Sequence, residues 1–162
     1  LVPATVNAGS IATGQQLVFE VKVPDGTSYA RFALFDADLG APGDIDLYVF
    51  SPTFQQIGAS EGPTSNEAVS LNAPAAGTYY VVLVGFSVPD PSVSFKQFNW
   101  ALGTTDADNM NVTAPASATA GQTATIGLDF TGLDPATKYL GSVVYGGIAG
   151  LPAPTIVRVD TP

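Results

Sequence analysis

Runs of alternating apolar and polar residues, separated by turns rich in glycine and proline, recur along this 162-residue chain. In residues 17–23 every odd position is apolar, and Glu20 and Lys22 lie at even positions. Residues 30–34 and 44–49 repeat the alternation. A period of two is typical of a β-strand with one buried face, whereas a helix repeats every 3.6 residues. The sequence therefore predicts an all-β fold.

The richest β-forming run lies at residues 78–84, which are almost all β-branched or aromatic. Turn-forming proline and glycine precede it at residues 74–77, and Pro-Asp-Pro follows at residues 89–91. A short continuous run of this kind, bounded by turns, is typical of a strand that is covered on both sides. We therefore predict that residues 78–84 form a central strand buried on both faces.

A polar, acidic stretch at residues 104–111 divides the chain and is interpreted as a linker. We assign residues 1–104 to a larger β unit and residues 105–162 to a smaller immunoglobulin- or fibronectin-like β unit that packs against it. About sixty residues make a small independent core. Residues 2–6 could therefore cross over to complete the smaller unit. Its predicted strands are residues 123–130, with Ala124, Ile126, Leu128 and Phe130 inward, and residues 139–145 and 155–159.

The charge of the chain is strongly acidic, because 14 acidic residues outnumber 5 basic ones and give a net charge of −9. Such a surface repels phosphate backbones and anionic lipids, so nucleic acid is not expected as a partner. The longest apolar run, at residues 81–84, is far shorter than the roughly 20 residues of a membrane-spanning helix. We therefore expect neither nucleic-acid binding nor membrane insertion.

The chain has no cysteine and no histidine. It therefore offers no disulfide, no thiolate nucleophile and no imidazole to carry protons near neutral pH. It also begins at Leu1 without a signal peptide or initiator methionine, and we interpret it as an excised or processed fragment. These features favour a role in binding or stability over catalysis.

Two motifs stand out, Asp-Ile-Asp-Leu-Tyr-Val at residues 44–49 and the proline–glycine turn with a Tyr-rich strand at residues 74–82. Together they resemble the motifs of bacterial pre-peptidase C-terminal (PPC) domains. With the opening strand at residues 16–23, the resemblance covers about residues 9–103. The tail, at residues 138–141 and 155–159, is similar to the short β unit that ends some bacterial subtilisin-like peptidases.

The resemblance implies a jelly-roll-like antiparallel β-sandwich appended to a secreted hydrolase, usually a subtilisin-like serine peptidase. Domains of this family are associated with folding, stability or secretion of the parent enzyme, and with substrate binding in some collagenases. They are often removed on maturation. The family carries no catalytic residues, and no cofactor is required. The expected partner is the peptidase catalytic domain in cis, and the expected location is extracellular.

Four aspartates near the first motif raise the possibility of calcium, which prefers several hard oxygen ligands. Asp36 and Asp38 precede the loop at residues 40–43, and Asp44 and Asp46 follow it. The alternative is structural, because acidic side chains on edge strands oppose aggregation and can accept hydrogen bonds from turn amides. Both interpretations stay open.

Aromatic side chains suggest a second possible site, since flat rings stack on sugars and on apolar protein surfaces. Tyr48 and Phe50 share the outward side of their predicted strand with Asp46, so they form a candidate binding surface for an extracellular polymer. This supports the alternative function of a polysaccharide- or protein-binding adhesion module. For Trp100, packing in the core or between the units is the favoured role.

A Gly-x-Ser-x-Gly pattern at residues 58–62 matches the nucleophile elbow of serine hydrolases. That motif needs a base beside the serine and a helix after it. The chain has no histidine, and residues 63–66 indicate a loop. We therefore interpret Ser60 as part of a turn, and not as a nucleophile.

Overall fold

The computed structural model describes residues 1–117, 119, 121–147, 151 and 153–162. Over these residues the chain consists of antiparallel β-sheets, with a short 3-10 helix at Asp36–Asp38 and no α-helix. None of its described helices could span a membrane. The all-β prediction is confirmed. The chain divides into two compact units, of which the first is Ala4–Thr104 and the second combines Leu1–Pro3 with Thr105–Pro162.

The first unit contains two four-stranded sheets. The spatial strand order of one sheet is β2-β9-β4-β7, and that of the other is β3-β8-β5-β6. Each sheet therefore places strands from the beginning of the unit beside strands from its end. The strands are β2 (Thr5–Ile11), β3 (Gln16–Val23), β4 (Tyr29–Ala33), β5 (Asp44–Phe50), β6 (Gln56–Ser60), β7 (Ala68–Asn72), β8 (Gly77–Ser87) and β9 (Val93–Leu102).

One hydrophobic core lies between these two sheets and takes side chains from both. Phe32 of β4 stacks on Tyr79 of β8 with ring centroids 6.3 Å apart, and Phe19 of β3 meets Phe95 of β9 edge-on at 6.0 Å. Burial of these rings and of the aliphatic side chains around them is the main stabilising term for a sheet pair of this size. The alternating runs of the sequence supply the inward side chains, as expected.

The interior also holds polar side chains on β9, because Gln97 and Asn99 are buried on the inward side of that strand. Asn7 Nδ2 donates to Gln97 Oε1 at 2.9 Å, and Gln97 Nε2 donates to Asn99 Oδ1 at 2.7 Å. Asn99 Nδ2 in turn reaches the backbone oxygen of Thr5 at 3.4 Å. A buried amide is costly unless it is hydrogen-bonded. This row of amides therefore fixes the register between β2 and β9.

The prediction for residues 78–84 is correct in one respect and wrong in another. These residues lie in β8, which is central in its sheet, between β3 and β5. Only one face is fully buried, however, since Tyr79, Val81 and Leu83 point into the core while Tyr80 and Val82 are only half-buried. The sheet has one face in the core, and its other face also carries apolar side chains. The sequence pattern alone cannot show whether apolar side chains on that second face are buried or exposed.

The second unit has a three-stranded sheet of order β1-β12-β13 and a two-stranded ribbon of β10 and β11. The strands are β1 (Val2–Pro3), β10 (Met110–Thr113), β11 (Gly127–Phe130), β12 (Lys138–Val143) and β13 (Thr155–Asp160). Its core centres on Leu1, Tyr139, Val143 and Val157. Leu1–Pro3, which the sequence boundary had placed in the first unit, thus belong to the second unit, where Val2 and Pro3 pair with β12. The crossover considered for residues 2–6 takes place within the first three residues.

The strand predicted at residues 123–130 is shorter than expected. β11 begins at Gly127, Ala124 is exposed and Phe130 is 39% exposed, whereas Leu128 packs against the core. A two-stranded ribbon can bury only the side chains that meet the neighbouring sheet. Alternation therefore overestimated both the length of this strand and its inward set. Trp100 is buried at 3% exposure in the first unit, in agreement with the packing role favoured for it.

Candidate binding face

The outer face of the β3-β8-β5-β6 sheet carries a group of apolar side chains beside the charged Glu20 and Lys22. Its strands bury alternate residues in the core, so the remaining side chains point away from it. Val18, Val82 and Tyr48 lie side by side on adjacent strands, and Tyr80 and Phe50 form the next row. We call this surface the aromatic face and define it as Val18, Tyr48, Phe50, Phe54, Tyr80 and Val82. Exposed apolar patches on a soluble domain commonly mark interaction sites.

Phe54 is the most exposed aromatic residue of this face, at 69%. It sits in the turn between β5 and β6, where its N–H donates to the Ser51 oxygen at 2.9 Å and its φ is 59°. Its ring stacks on that of Tyr80 with centroids 4.4 Å apart and planes inclined by 22°. A positive φ costs free energy in a phenylalanine, so the stacking contact helps to hold this turn.

Tyr48 is half-buried and its hydroxyl donates a hydrogen bond of 2.5 Å to Glu61 Oε1. That bond, with burial and the nearby carboxylates, raises the pKa of Tyr48 to about 12. The phenol is therefore a fixed neutral donor near pH 7, and only the ring is available to a partner. The sequence singled out Tyr48 and Phe50, both half-buried, and did not single out the exposed Phe54, which stacks on the half-buried Tyr80. Their proximity depends on the turn conformation, which alternation does not encode.

The aspartates of the Asp-Ile-Asp motif lie at the margin of the aromatic face. Asp46 is 7% exposed, and Asp44 Oδ1 is buried without a hydrogen-bond partner in the described part of the chain. Burial, followed by the charges of Glu67 and Asp36, raises the pKa of Asp44. Burial, followed by the charges of Asp44 and other neighbouring carboxylates, raises the pKa of Asp46. Both carboxylates are thus destabilised in their ionised form.

Asp36 performs a structural task in the loop before β7. Its carboxylate accepts the Ser65 N–H at 2.8 Å and the Asn66 Nδ2 at 2.6 Å. Asn66 Oδ1 returns a bond by accepting the Asp36 N–H at 3.0 Å. The hydroxyl of the buried Ser65 donates to the Gly43 oxygen at 3.0 Å and accepts the Ile45 N–H at 2.9 Å. Asp36 therefore braces the chain that leads into β5.

The four predicted calcium ligands do not assemble into a recognisable ligand set. Among the residues that the structure describes, no three histidine, cysteine or acidic side chains are grouped closely enough to hold a metal ion. Asp36 and Asp38 belong to the 3-10 helix, and Asp44 and Asp46 to β5. Calcium usually takes six to eight oxygen ligands. The four aspartates thus come from two separate elements, and calcium binding stays a prediction.

Ser60 of the Gly-x-Ser-x-Gly pattern is engaged on both sides. Its hydroxyl donates to Glu67 Oε2 and accepts the Ala68 N–H at 3.3 Å. Glu67, which is 3% exposed, also accepts the Gly62 N–H at 2.6 Å. No strand-to-helix turn is present at this position, since Ser60 ends β6. The arrangement closes the loop between β6 and β7.

Replacing Asp46 by asparagine should stabilise the first unit at neutral pH. Because the folded pKa of Asp46 is raised, the folded state binds its proton more tightly than the unfolded state does. The resulting penalty is absent below the ordinary pKa of 3.8, grows as the pH rises through the folded pKa, and stays constant above it. We expect a higher Tm for Asp46→Asn than for wild type at pH 7 and equal values at acid pH, measured by thermal unfolding across pH.

The exposed Asp25 provides the control, because Asp25→Asn removes one negative charge without touching a buried carboxylate. A lower Tm for Asp46→Asn at pH 7 would contradict the prediction.

The Asp46→Asn variant also tests whether calcium binds at this position. If Asp44 and Asp46 held the ion, calcium would raise the Tm of wild type against chelator, and Asp46→Asn would lose that gain.

A comparison with protein-family models matches residues 10–85 to the bacterial pre-peptidase C-terminal domain. These residues form a PPC domain. The match runs from the end of β2 to Gly85 of β8, so every residue of the aromatic face lies inside the PPC domain. PPC domains belong to secreted bacterial proteins, and the family is non-catalytic. The resemblance inferred from the two sequence motifs is confirmed.

The chain is also similar to pyrolysin of Pyrococcus furiosus, with 28% identity over 88 residues. That alignment covers 53% of this chain but only 6% of pyrolysin. Among solved structures, the periplasmic inhibitor of g-type lysozyme from Aeromonas hydrophila, PliG, matches with a TM-score of 0.46 and 14% identity. The match covers 62% of this chain and 87% of that protein.

Proposed function

We propose that this chain is a non-catalytic accessory region of a secreted subtilisin-like peptidase. Its PPC domain uses the aromatic face to dock to the catalytic domain of that peptidase and to stabilise it. The observation that carries this proposal is the stack of the exposed Phe54 on the half-buried Tyr80 in a PPC domain. The similarity to pyrolysin, a subtilisin-like protease, supports the kind of parent enzyme. The peptidase domain in cis is then the partner, and the protein works outside the cell.

The scaffold of this proposal is a jelly-roll β-sandwich. Its support is the pair of interleaved strand orders, β2-β9-β4-β7 and β3-β8-β5-β6, around one core. Two sheets packed around one core present stiff surfaces to a protease. The role in folding, stability or maturation of the parent enzyme depends on contact between surfaces and needs no nucleophile, and the hydrogen-bonded state of Ser60 is consistent with that role.

The docking proposal predicts that loss of the Phe54–Tyr80 stack weakens binding to the peptidase domain. The test mixes the chain with the separately produced catalytic domain of its parent protein and measures the dissociation constant by calorimetry. We expect the double variant Phe54→Ala/Tyr80→Ala to bind at least tenfold more weakly, because central aromatic residues dominate interface energies at about 2 kcal/mol or more each.

The matched control is Phe130→Ala, which removes an exposed aromatic ring from the second unit and leaves the aromatic face intact. Equal affinities for wild type and the double variant, with both proteins folded, would reject docking through this face. Absence of any binding by wild type would reject docking itself.

A second candidate function is an adhesion module for a polysaccharide or fibrous protein. The same stacked rings favour it, since flat aromatic surfaces on a β-sheet suit extended polymers. Retention of the isolated chain on insoluble collagen, chitin or cellulose, lost in the Phe54→Ala/Tyr80→Ala variant, would support this function. Tyr48→Ala and Phe50→Ala test the two residues that the sequence singled out.

A further inference from the structure

Leu1–Pro3 are an integral part of the second unit. Leu1 is 7% exposed and packs in the core formed by Tyr139, Val143 and Val157. Val2 pairs with Leu140 and Pro3 with Tyr139, so β1 forms an edge strand beside β12. Proline lacks an N–H group and is tolerated on an edge strand. A segment of three residues is thus held by both sheet pairing and burial.

Asn109 fixes the backbone of Leu1 from the other side. Its Oδ1 accepts a hydrogen bond from the Leu1 nitrogen at 2.7 Å, and its Nδ2 donates to the Leu1 oxygen at 3.0 Å. The backbone oxygen of Asn109 accepts the Thr131 N–H at 3.1 Å. This bond anchors Asn109 at the end of the β10–β11 ribbon. An amide fork of this kind recognises backbone groups, and an amide N–H at Leu1 would make the same bond as an ammonium group.

Gly141 supplies the space that Leu1 needs. The register of β1 and β12 places Leu1 opposite Gly141, as the pairs Val2–Leu140 and Pro3–Tyr139 continue by one residue. A Cβ at position 141 would lie 2.7 Å from Leu1 Cδ2 and 3.3 Å from Leu1 Cα. A side chain there would therefore require the Leu1 side chain to move and its Cα to shift slightly. The site thus has three parts. They are the apolar socket around the Leu1 side chain, the fork of two hydrogen bonds from Asn109 to the Leu1 backbone, and the position at Gly141 that is clear of a side chain.

We propose that the second unit contains a binding site for an extended peptide segment led by leucine, a site that Leu1–Pro3 fill in cis. The ligand class is a short apolar strand in which a leucine enters the socket and the two residues after it pair with β12. The consequence is topological. The second unit holds the polypeptide both immediately before the first unit, at Leu1–Pro3, and after it, from Thr105, so the PPC-containing unit is an insertion between β1 and β10. This inference goes beyond the proposed function and does not depend on it.

The site can be tested with a peptide supplied in trans. A variant that lacks residues 1–3 is titrated with acetyl-Leu-Val-Pro-Ala-amide while the amide signals of Gly141 and of the Asn109 side chain are followed by NMR. We expect saturable shifts at both positions. The peptide acetyl-Ala-Val-Pro-Ala-amide should bind at least about tenfold more weakly, because it leaves the socket empty. Adding Gly141→Ala to the shortened variant should weaken the binding, because the new Cβ would lie close to the leucine.

A second measurement decides the question if the shortened variant does not fold. The full chain carrying Leu1→Ala keeps β1 attached but empties the socket, and the leucine peptide should displace the altered segment at high concentration. Wild type, with Leu1 in place, should show no shift under the same conditions. Absence of saturable shifts in both variants would overturn the proposal, as would equal binding of the leucine and alanine peptides.

Discussion

Replacing Phe32 by alanine is expected to lower the free energy of unfolding of the first unit by about 3–5 kcal/mol. Phe32 has no exposed surface and lies where the two sheets meet, stacked on Tyr79 across the core. Its pairing on β4 with Val69 of β7 and Asn99 of β9 leaves no free edge through which the surroundings could collapse. The truncation therefore removes buried apolar area and leaves a cavity. Equilibrium denaturation followed by tryptophan fluorescence is a suitable measurement, because Trp100 belongs to the same unit.

The control for this substitution is Phe86→Ala. Phe86 has the same side chain on the central strand β8 but is 66% exposed, so its loss should change stability by no more than about 0.5 kcal/mol. Similar losses for the two variants would mean that the two sheets do not share the core described above. A small loss for Phe32→Ala alone would mean the same.

Gly85→Ala is the second substitution for which we expect a large effect, a loss of about 3 kcal/mol. A Cβ at Gly85 would overlap the backbone oxygen of Ala12. That segment is fixed in place, since the Gly14 N–H donates to the Gly85 oxygen at 2.8 Å and the Gly85 N–H donates to the Gln15 oxygen at 3.0 Å. Backbone cannot turn aside as a flexible side chain can, so the β2–β3 turn must separate from β8.

Gly103→Ala is the matched control, because no atom lies within 4 Å of the Cβ that it would introduce. Its stability should equal that of wild type within about 0.5 kcal/mol. Chemical denaturation of both variants gives the comparison. A Gly85→Ala variant as stable as Gly103→Ala would show that the close approach of the turn to β8 is absent in solution.

The sequence predicted those features of the fold that depend on local alternation. The inward set of β3, with Leu17, Phe19 and Val21, and the inward set of β5 agree with the structure, because a period of two fixes which side of a strand a residue occupies. Burial of the opposite side is decided by what covers the sheet. This is why the outward half of β8 was predicted to be buried although Tyr80 and Val82 remain partly exposed.

The candidate site was harder to predict than the fold, because its key contacts join residues from different elements. Asp36 and Asn66 are thirty positions apart, and their reciprocal hydrogen bonds arise only when the 3-10 helix meets the loop before β7. Phe54 and Tyr80 likewise meet through a turn whose positive φ no composition rule indicates for phenylalanine. The motifs at residues 44–49 and 74–82, in contrast, were together sufficient to identify the PPC domain, because they combine strand alternation with fixed residue types.

The role of Leu1 was also beyond the reach of sequence patterns. A strand of two residues gives no periodic signal. The unit boundary at residue 104 was instead placed at the start of the acidic linker. Its place became visible only through the Asn109 fork and the cleared position at Gly141.

The claim that this chain acts by contact through its aromatic face is tested most directly by hydroxyl-radical footprinting of Phe54 and Tyr80. The modification rates of these side chains are compared between the isolated chain and the full-length parent protein. We predict at least about fivefold slower modification of Phe54 in the full-length protein, as expected for a ring that passes from exposed to buried, with Phe130 unchanged. Equal rates for Phe54 and Tyr80 in the two proteins would contradict the account.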